Sequence, residues 1–180
     1  MPTAIRLLDE TAAHAALPAL CDIMADCVQG GASVGFMLPF ESRDGEAFWA
    51  GVARGVAAGE ILLLVAEVNG RIEGTVQVGF APMPNQPHRG DVKKLLVHRR
   101  ARGLGLSRLL MEAAERKAAE NGRSLLVLDT ATGEVAEGIY ERLGWQRAGV
   151  VPDYALFPDG RYCATTIFYK NVGGAATAKS

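Results

Sequence analysis

The spacing of hydrophobic and polar positions changes several times along the chain, and each change marks an element. Thr3 to Leu8 reads as a short strand, and Thr11 to Gln29 repeats apolar residues at helical intervals before stopping on Gly30 and Gly31. Pro18 lies inside that stretch and predicts that the helix splits or restarts there. Gly30 to Phe40 reads as a loop, and Glu46 to Ala58 as a second helix ended by Gly59. Ile61 to Val68 and Arg71 to Phe80 are rich in β-formers and flank Asn69-Gly70, a two-residue hairpin turn. The prolines of Ala81 to His88 make a connecting loop, and Asp91 to Val97 is the next strand.

From Gly103 to Asn121 the residues Leu106, Leu109, Leu110, Ala113, Ala114 and Ala118 fall on one helical face, with Gly122 as the stop. The uninterrupted apolar run Leu125 to Leu128 suits a strand buried on both faces, so strand, helix and strand form one right-handed βαβ unit. Glu134 to Leu143 reads as a shorter helix, and Trp145 to Val150 and Cys163 to Tyr169 as two further strands. One domain over residues 1–172 with a flexible tail over 173–180 is the expected organisation.

Composition narrows the function classes. With 49% hydrophobic and 22% charged residues the 180-residue chain has the makeup of a folded globular protein. A formal charge of -1 gives no global case for nucleic acid or an anionic membrane as partner. The longest apolar run, Ile61 to Ala66, is six residues, against about 20 for a membrane span. Arg6, Asp9 and Glu10 stand where a signal peptide needs apolar residues, so the cytoplasm is the expected location. Cys21, Cys27 and Cys163 form no metal-ligand or disulfide pattern with the scattered His14, His88 and His98, and are expected as reduced, mostly buried thiols.

One segment departs from this neutral background. Between Val92 and Met111 no acidic residue occurs, while six of the 19 basic residues fall there: Lys93, Lys94, Arg99, Arg100, Arg102 and Arg108. The same segment holds Arg100-Ala101-Arg102-Gly103-Leu104-Gly105, which leaves a strand and opens the clearest helix. Glycines allow close backbone approach, and the free N–H groups at a helix start attract anions, so a diphosphate suits the site. A tight turn beside a solvated basic face is the bland alternative. The turn lacks the Lys-Ser/Thr ending of a nucleotide-hydrolysing loop and the third glycine of a dinucleotide fingerprint.

Arg100, Gly103 and Gly105 match the Gln/Arg-x-x-Gly-x-Gly/Ala acetyl-CoA motif, and Ala136, Tyr140, Gly144 and Trp145 match a later motif at the same family's spacing. In these features the chain resembles the GCN5-related N-acetyltransferase (GNAT) superfamily over essentially its whole length. Gly30 to Met37 and Leu128-Asp129-Thr130 resemble the tabtoxin-resistance acetyltransferase and its relatives within it. Gly133 stands where many members carry a cofactor-contacting Asn.

The resemblance implies an α/β fold with a mixed, mostly antiparallel sheet of about seven strands, a splayed parallel pair and about four flanking helices. It implies acetyl-CoA as cofactor, held by backbone N–H groups of Arg102, Gly103, Leu104, Gly105 and Leu106 with Arg100 and Arg102 near the phosphates. Pantetheine would lie along Leu95, Leu96 and Val97. The implied reaction is acetyl transfer to a primary amine of a small molecule, an amino-acid-like toxin or antibiotic among them. A protein lysine or N-terminus as acceptor, and a non-catalytic CoA sensor, are the competing readings. Family members are often dimers, so a second copy is an expected partner.

Transfer to an amine with a pKa near 10.4 needs a base. Asp91 and Asp129, at the two sides of the implied wedge, are the candidates, directly or through water; strand-end capping or an ion pair is the alternative for each. Tyr140 is the candidate general acid, against a purely structural stripe of Ile139, Tyr140 and Leu143. Oxyanion stabilisation falls to a backbone N–H near Leu96. Ser33, Phe36, Trp49 and Tyr154 are candidate substrate contacts, with core packing as the alternative for the aromatic ones. No metal is expected.

Overall fold

The computed structural model describes residues 2–173, so the tail expected from Gly173 onward lies, past that residue, outside the described residues. The elements are β1 (Thr3–Leu8), α1 (Glu10–Gln29), α2 (Ser42–Ala57), β2 (Ile61–Val68), β3 (Arg71–Phe80), β4 (Arg89–Val97), α3 (Leu106–Glu120), β5 (Leu125–Ala131), α4 (Val135–Arg142), β6 (Gln146–Leu156) and β7 (Tyr162–Asn171). The strands form one sheet in the order β1-β2-β3-β4-β5-β7-β6. Every neighbouring pair is antiparallel except β4 and β5, the two strands joined through α3.

Strand alternation sends β2 side chains to two cores. Leu64 and Ala66 join Leu106, Leu110 and Met111 of α3 on one face; Leu63 and Val65 join Leu20, Ile23 and Met24 of α1 and Trp49 of α2 on the other. Full burial of each large apolar side chain contributes about 1.5–3 kcal/mol. Asn69 and Gly70 take φ values of 52° and 79°, as a hairpin turn matched to strand twist requires. The free thiols of Cys27 and Cys163 are buried and that of Cys21 is partly so.

Three boundaries differ from the sequence expectation. Pro18 neither splits nor starts α1, which runs unbroken from an Asp9 cap accepting from Ala12 N at 2.8 Å. The lost hydrogen bond is outweighed by the buried face of Leu20, Ile23, Met24, Cys27 and Val28. Helix α2 begins at Ser42 and passes through Gly45, a poor helix former that is needed there, since a Cβ would stand 3.1 Å from the Phe40 ring. Strand β6 continues past Pro152 to Leu156, because a bulge between Val151 and Ala155 with Asp153 at φ 51° lifts the proline out of the ladder.

Candidate active site

The parallel pairing of β4 with β5 lasts only from Arg89–Leu125 to Asp91–Val127. Beyond it β4 stays paired with β3 as far as Val97, and β5 with β7 as far as Ala131, so a wedge opens between the two carboxyl ends. A bulge in β4 adds to the divergence. Lys94, a non-glycine residue at φ 52°, falls between Lys93, which pairs with Gln77, and Leu96, which pairs with Thr75. A cavity of about 200 Å³ occupies the wedge, lined by Asp91, Lys93, Val127, Asp129, Tyr154 and Ile167 among others. Pairing register puts Asp91, Lys93, Val127, Asp129 and Ile167 on one face of the sheet, the face that carries α1 and α2.

The two candidate bases therefore meet at one cavity in different surroundings. Asp91 forms an ion pair and hydrogen bond with Arg89 Nη1. Asp129 is exposed to the cavity and accepts from Thr165 Oγ1 at 3.4 Å. Tyr140 does not line the cavity. Its ring packs between Trp145 and Phe168, at centroid distances of 6.2 and 5.8 Å, and is 6% exposed. Burial first, and the Asp129 charge second, push the phenol well above its ordinary pKa, so it keeps its proton at any physiological pH.

At the same end of the sheet, His98 to Gly105 lead from β4 into α3. Gly103 and Gly105 take φ values of 80° and 74°, and a Cβ on either would meet no atom within 4 Å. Leu106 anchors the helix start in the core, while Leu104 is exposed. Three of the six basic residues expected here as a positive patch are paired. Arg100 Nε donates to Glu73 at 2.7 Å and its terminal nitrogens to Asp22, and Arg99 pairs with Asp26 at 2.8 Å, all partners distant in sequence, while Arg108 pairs with Glu112 one turn along α3.

Asp26 is part of that scaffold. Burial acts to raise its pKa, but hydrogen bonds from the Arg99 backbone and side chain, with His98 and Arg99 charge, outweigh burial and hold the carboxyl below the usual range. A depressed carboxylate stabilises the fold above its unfolded pKa and loses that contribution on acidification. Asp26→Asn is expected to cost about 1–3 kcal/mol at pH 7, with the difference from wild type shrinking below about pH 4, in urea titrations across pH.

Of the candidate substrate residues, Tyr154 lines the cavity and is exposed. Ser33 donates its hydroxyl to the Leu156 carbonyl at 2.9 Å, tying the 30–41 loop to β6. Leu38 N donates to the Pro158 carbonyl at 3.1 Å, so the loop spans from α1 to the β6–β7 turn. Phe36 packs edge-on against Phe40 and Phe48, and Trp49 is 1% exposed within the core of α1 and α2.

Lys94 escaped the sequence reading except as one charge in a basic run. Its Nζ donates to the Val34 carbonyl at 2.7 Å and lies 5.3 Å from the Phe48 ring centroid, pinning the loop beside the wedge. Burial first depresses its pKa, Asp129 partly opposes that, and Lys93 adds to it. The paired Lys93-Lys94 inside a strand was the available signal, since two successive lysines break alternation where a bulge can turn one aside. Lys94→Met is expected to release the loop from the wedge and speed amide exchange over residues 31–38 by about tenfold or more.

The sheet order, the wedge and the helix-start loop have a counterpart among known proteins. Residues 59–147 match the family model described as Acetyltransferase (GNAT) domain. Those residues make up a GNAT acetyltransferase domain. Solved structures with low identity share the fold of this chain across nearly its full length. An N-acetyltransferase from Staphylococcus aureus Mu50 is 19% identical with TM-score 0.79, covering 96% of this chain and 99% of its own. A Salmonella typhimurium structure that carries acetyl-CoA as its cofactor is 19% identical with TM-score 0.79, covering 100% and 99%. A ribosomal-protein-alanine N-acetyltransferase from Brucella melitensis is 24% identical with TM-score 0.77, covering 93% and 99%. The GNAT fold is therefore the one expected: seven strands, four helices and one splayed parallel pair. Among the described residues no helix is long and apolar enough to cross a membrane.

Proposed function

We propose that this GNAT domain, residues 1–172, transfers an acetyl group from acetyl-CoA directly to the primary amine of a small, amino-acid-like molecule in the cytoplasm. The observation that carries this reading is the cavity where β4 and β5 part, faced by Asp91 and Asp129. At about 200 Å³ it falls below the roughly 300–1,000 Å³ of pockets for drug-sized ligands, which suits a small acceptor.

Acetyl-CoA fits the residues present. The left-handed Gly103 and Gly105 leave room at the loop, and the edge of β4 facing the wedge has no strand partner after Asp91. Backbone N–H groups of Arg102 to Leu106 would hold the diphosphate, with the α3 dipole behind them. Arg100 positions that loop through Glu73 and Asp22, and Arg102 would stand near the phosphates. Leu95, Leu96 and Val97 offer a strand edge to the pantetheine amides. When bound, acetyl-CoA supplies an activated acetyl thioester and a thiol leaving group.

Asp129 takes the amine proton, directly or through a water, because Asp91 is held by Arg89 and Asp129 faces the cavity unpaired with any cation among the described residues. Tyr140 Oη holds a proton beside Asp129 and offers it to negative charge developing in the wedge. Its raised pKa favours donation as a strong hydrogen bond over outright loss of the proton, so the second proton shed by the amine nitrogen is what neutralises the thiol leaving group.

A thiol-release assay with acetyl-CoA and a panel of primary amines, β-lactam amino acids included, tests the reading. Release with a small amine is expected, together with a large loss of rate in Asp129→Asn. Release only with peptides bearing a free N-terminus or lysine would move the acceptor to proteins. Uptake of acetyl-CoA without release on any amine or peptide would make the domain a sensor.

A further inference from the structure

Two observations converge on the β4 side of the wedge. Lys93 lines the cavity and is exposed there, and while Arg89 pairs with Asp91 and Lys94 bonds to Val34, Lys93 forms no ion pair among the described residues. Its ammonium lies over the face of Gly79, where a Cβ would stand 4.0 Å from Lys93 Nζ.

A cavity-facing ammonium with no carboxylate partner makes an anionic oxygen its natural ligand. Pairing register puts Lys93 on the same face as Asp91 and Asp129. Gly79, paired with Asp91, leaves that face open beside the Lys93 ammonium. Charge around the cavity also favours an anion. Arg89 offsets Asp91, Lys94 and Asp129 feel one another's fields, and Lys93 is left over.

Building on the acetyl-transfer reading, we propose that Lys93 holds the carboxylate of the acceptor, so that the enzyme selects amino carboxylates over simple amines. The carboxylate sits at the β4 side and the amine reaches across toward Asp129. Both ends of an amino acid are then recognised within one small cavity, Lys93 acting on specificity rather than on proton transfer.

The experiment compares free L-amino acids with their carboxamides, in matched pairs, by thiol release from acetyl-CoA. Wild type is expected to favour the acid over its amide by on the order of a hundredfold in kcat/KM. Lys93→Gln should collapse that ratio toward one, Lys93→Glu should invert it, and Lys93→Arg should keep most of it, with KM for acetyl-CoA unmoved in all three. Lys93 is exposed, so folding of these variants is checked simply by their melting temperatures. Equal turnover of acid and amide by wild type, an unchanged ratio in Lys93→Gln, or turnover confined to amines without a carboxylate would each overturn the proposal while leaving acetyl transfer intact. Acetyl-CoA uptake with no turnover of any paired probe would overturn it too. Failure of acetyl-CoA to bind at all, read by calorimetry, would instead bring down the reading on which it rests.

Discussion

Replacing Tyr140 with phenylalanine is expected to lower kcat by about two orders of magnitude or more while leaving KM for acetyl-CoA close to wild type. The ring is anchored by Trp145 and Phe168 in the main core, and that packing survives loss of one oxygen. The melting temperature should therefore stay near the wild-type value. What is lost is the single proton that burial and Asp129 keep on the phenol. Steady-state kinetics on both substrates, with melting curves for the same preparations, separates chemistry from stability. A variant with unchanged kcat would reduce Tyr140 to a packing residue.

Substituting valine for Gly105 is expected to weaken acetyl-CoA binding by about a hundredfold or more. A β-branched side chain at φ 74° carries about 1–3 kcal/mol of backbone strain, and relief of that strain would rotate the N–H groups at the start of α3 away from their common direction. Gly122, at the other end of the same helix, supplies the control. It has φ 77° and equally open surroundings, so Gly122→Val should cost similar stability yet leave acetyl-CoA binding intact. Equal losses of affinity in both variants would mean that the loop acts only through stability.

The sequence was informative where one short-range rule decided the outcome. Alternation and an Asn-Gly turn define β2 and β3 to the residue, and the apolar face of α3 with its flanking glycines defines the βαβ unit. The wedge followed from resemblance, since nothing local tells β4 to part from β5 after three residue pairs. Long-range compensation was invisible. Asp22, Asp26 and Glu73 lie far in sequence from Arg99 and Arg100, so part of a stretch that reads as a positive patch becomes a paired scaffold. Lys94 was missed for a similar reason, because its role depends on a bulge and on a loop 60 residues away. Trp49 and Tyr154, both candidates on residue type alone, were separated only by packing: one is sealed in the core and the other lines the cavity.

The measurement closest to the central claim is a titration of coenzyme A into isotopically labelled protein, followed by backbone amide shifts. The largest saturable shifts are predicted for Arg102 to Leu106, with a second set along Leu95 to Val97, and the first set should vanish in Gly105→Val. No saturable shift, or shifts concentrated on another surface with those amides undisturbed, would contradict the account.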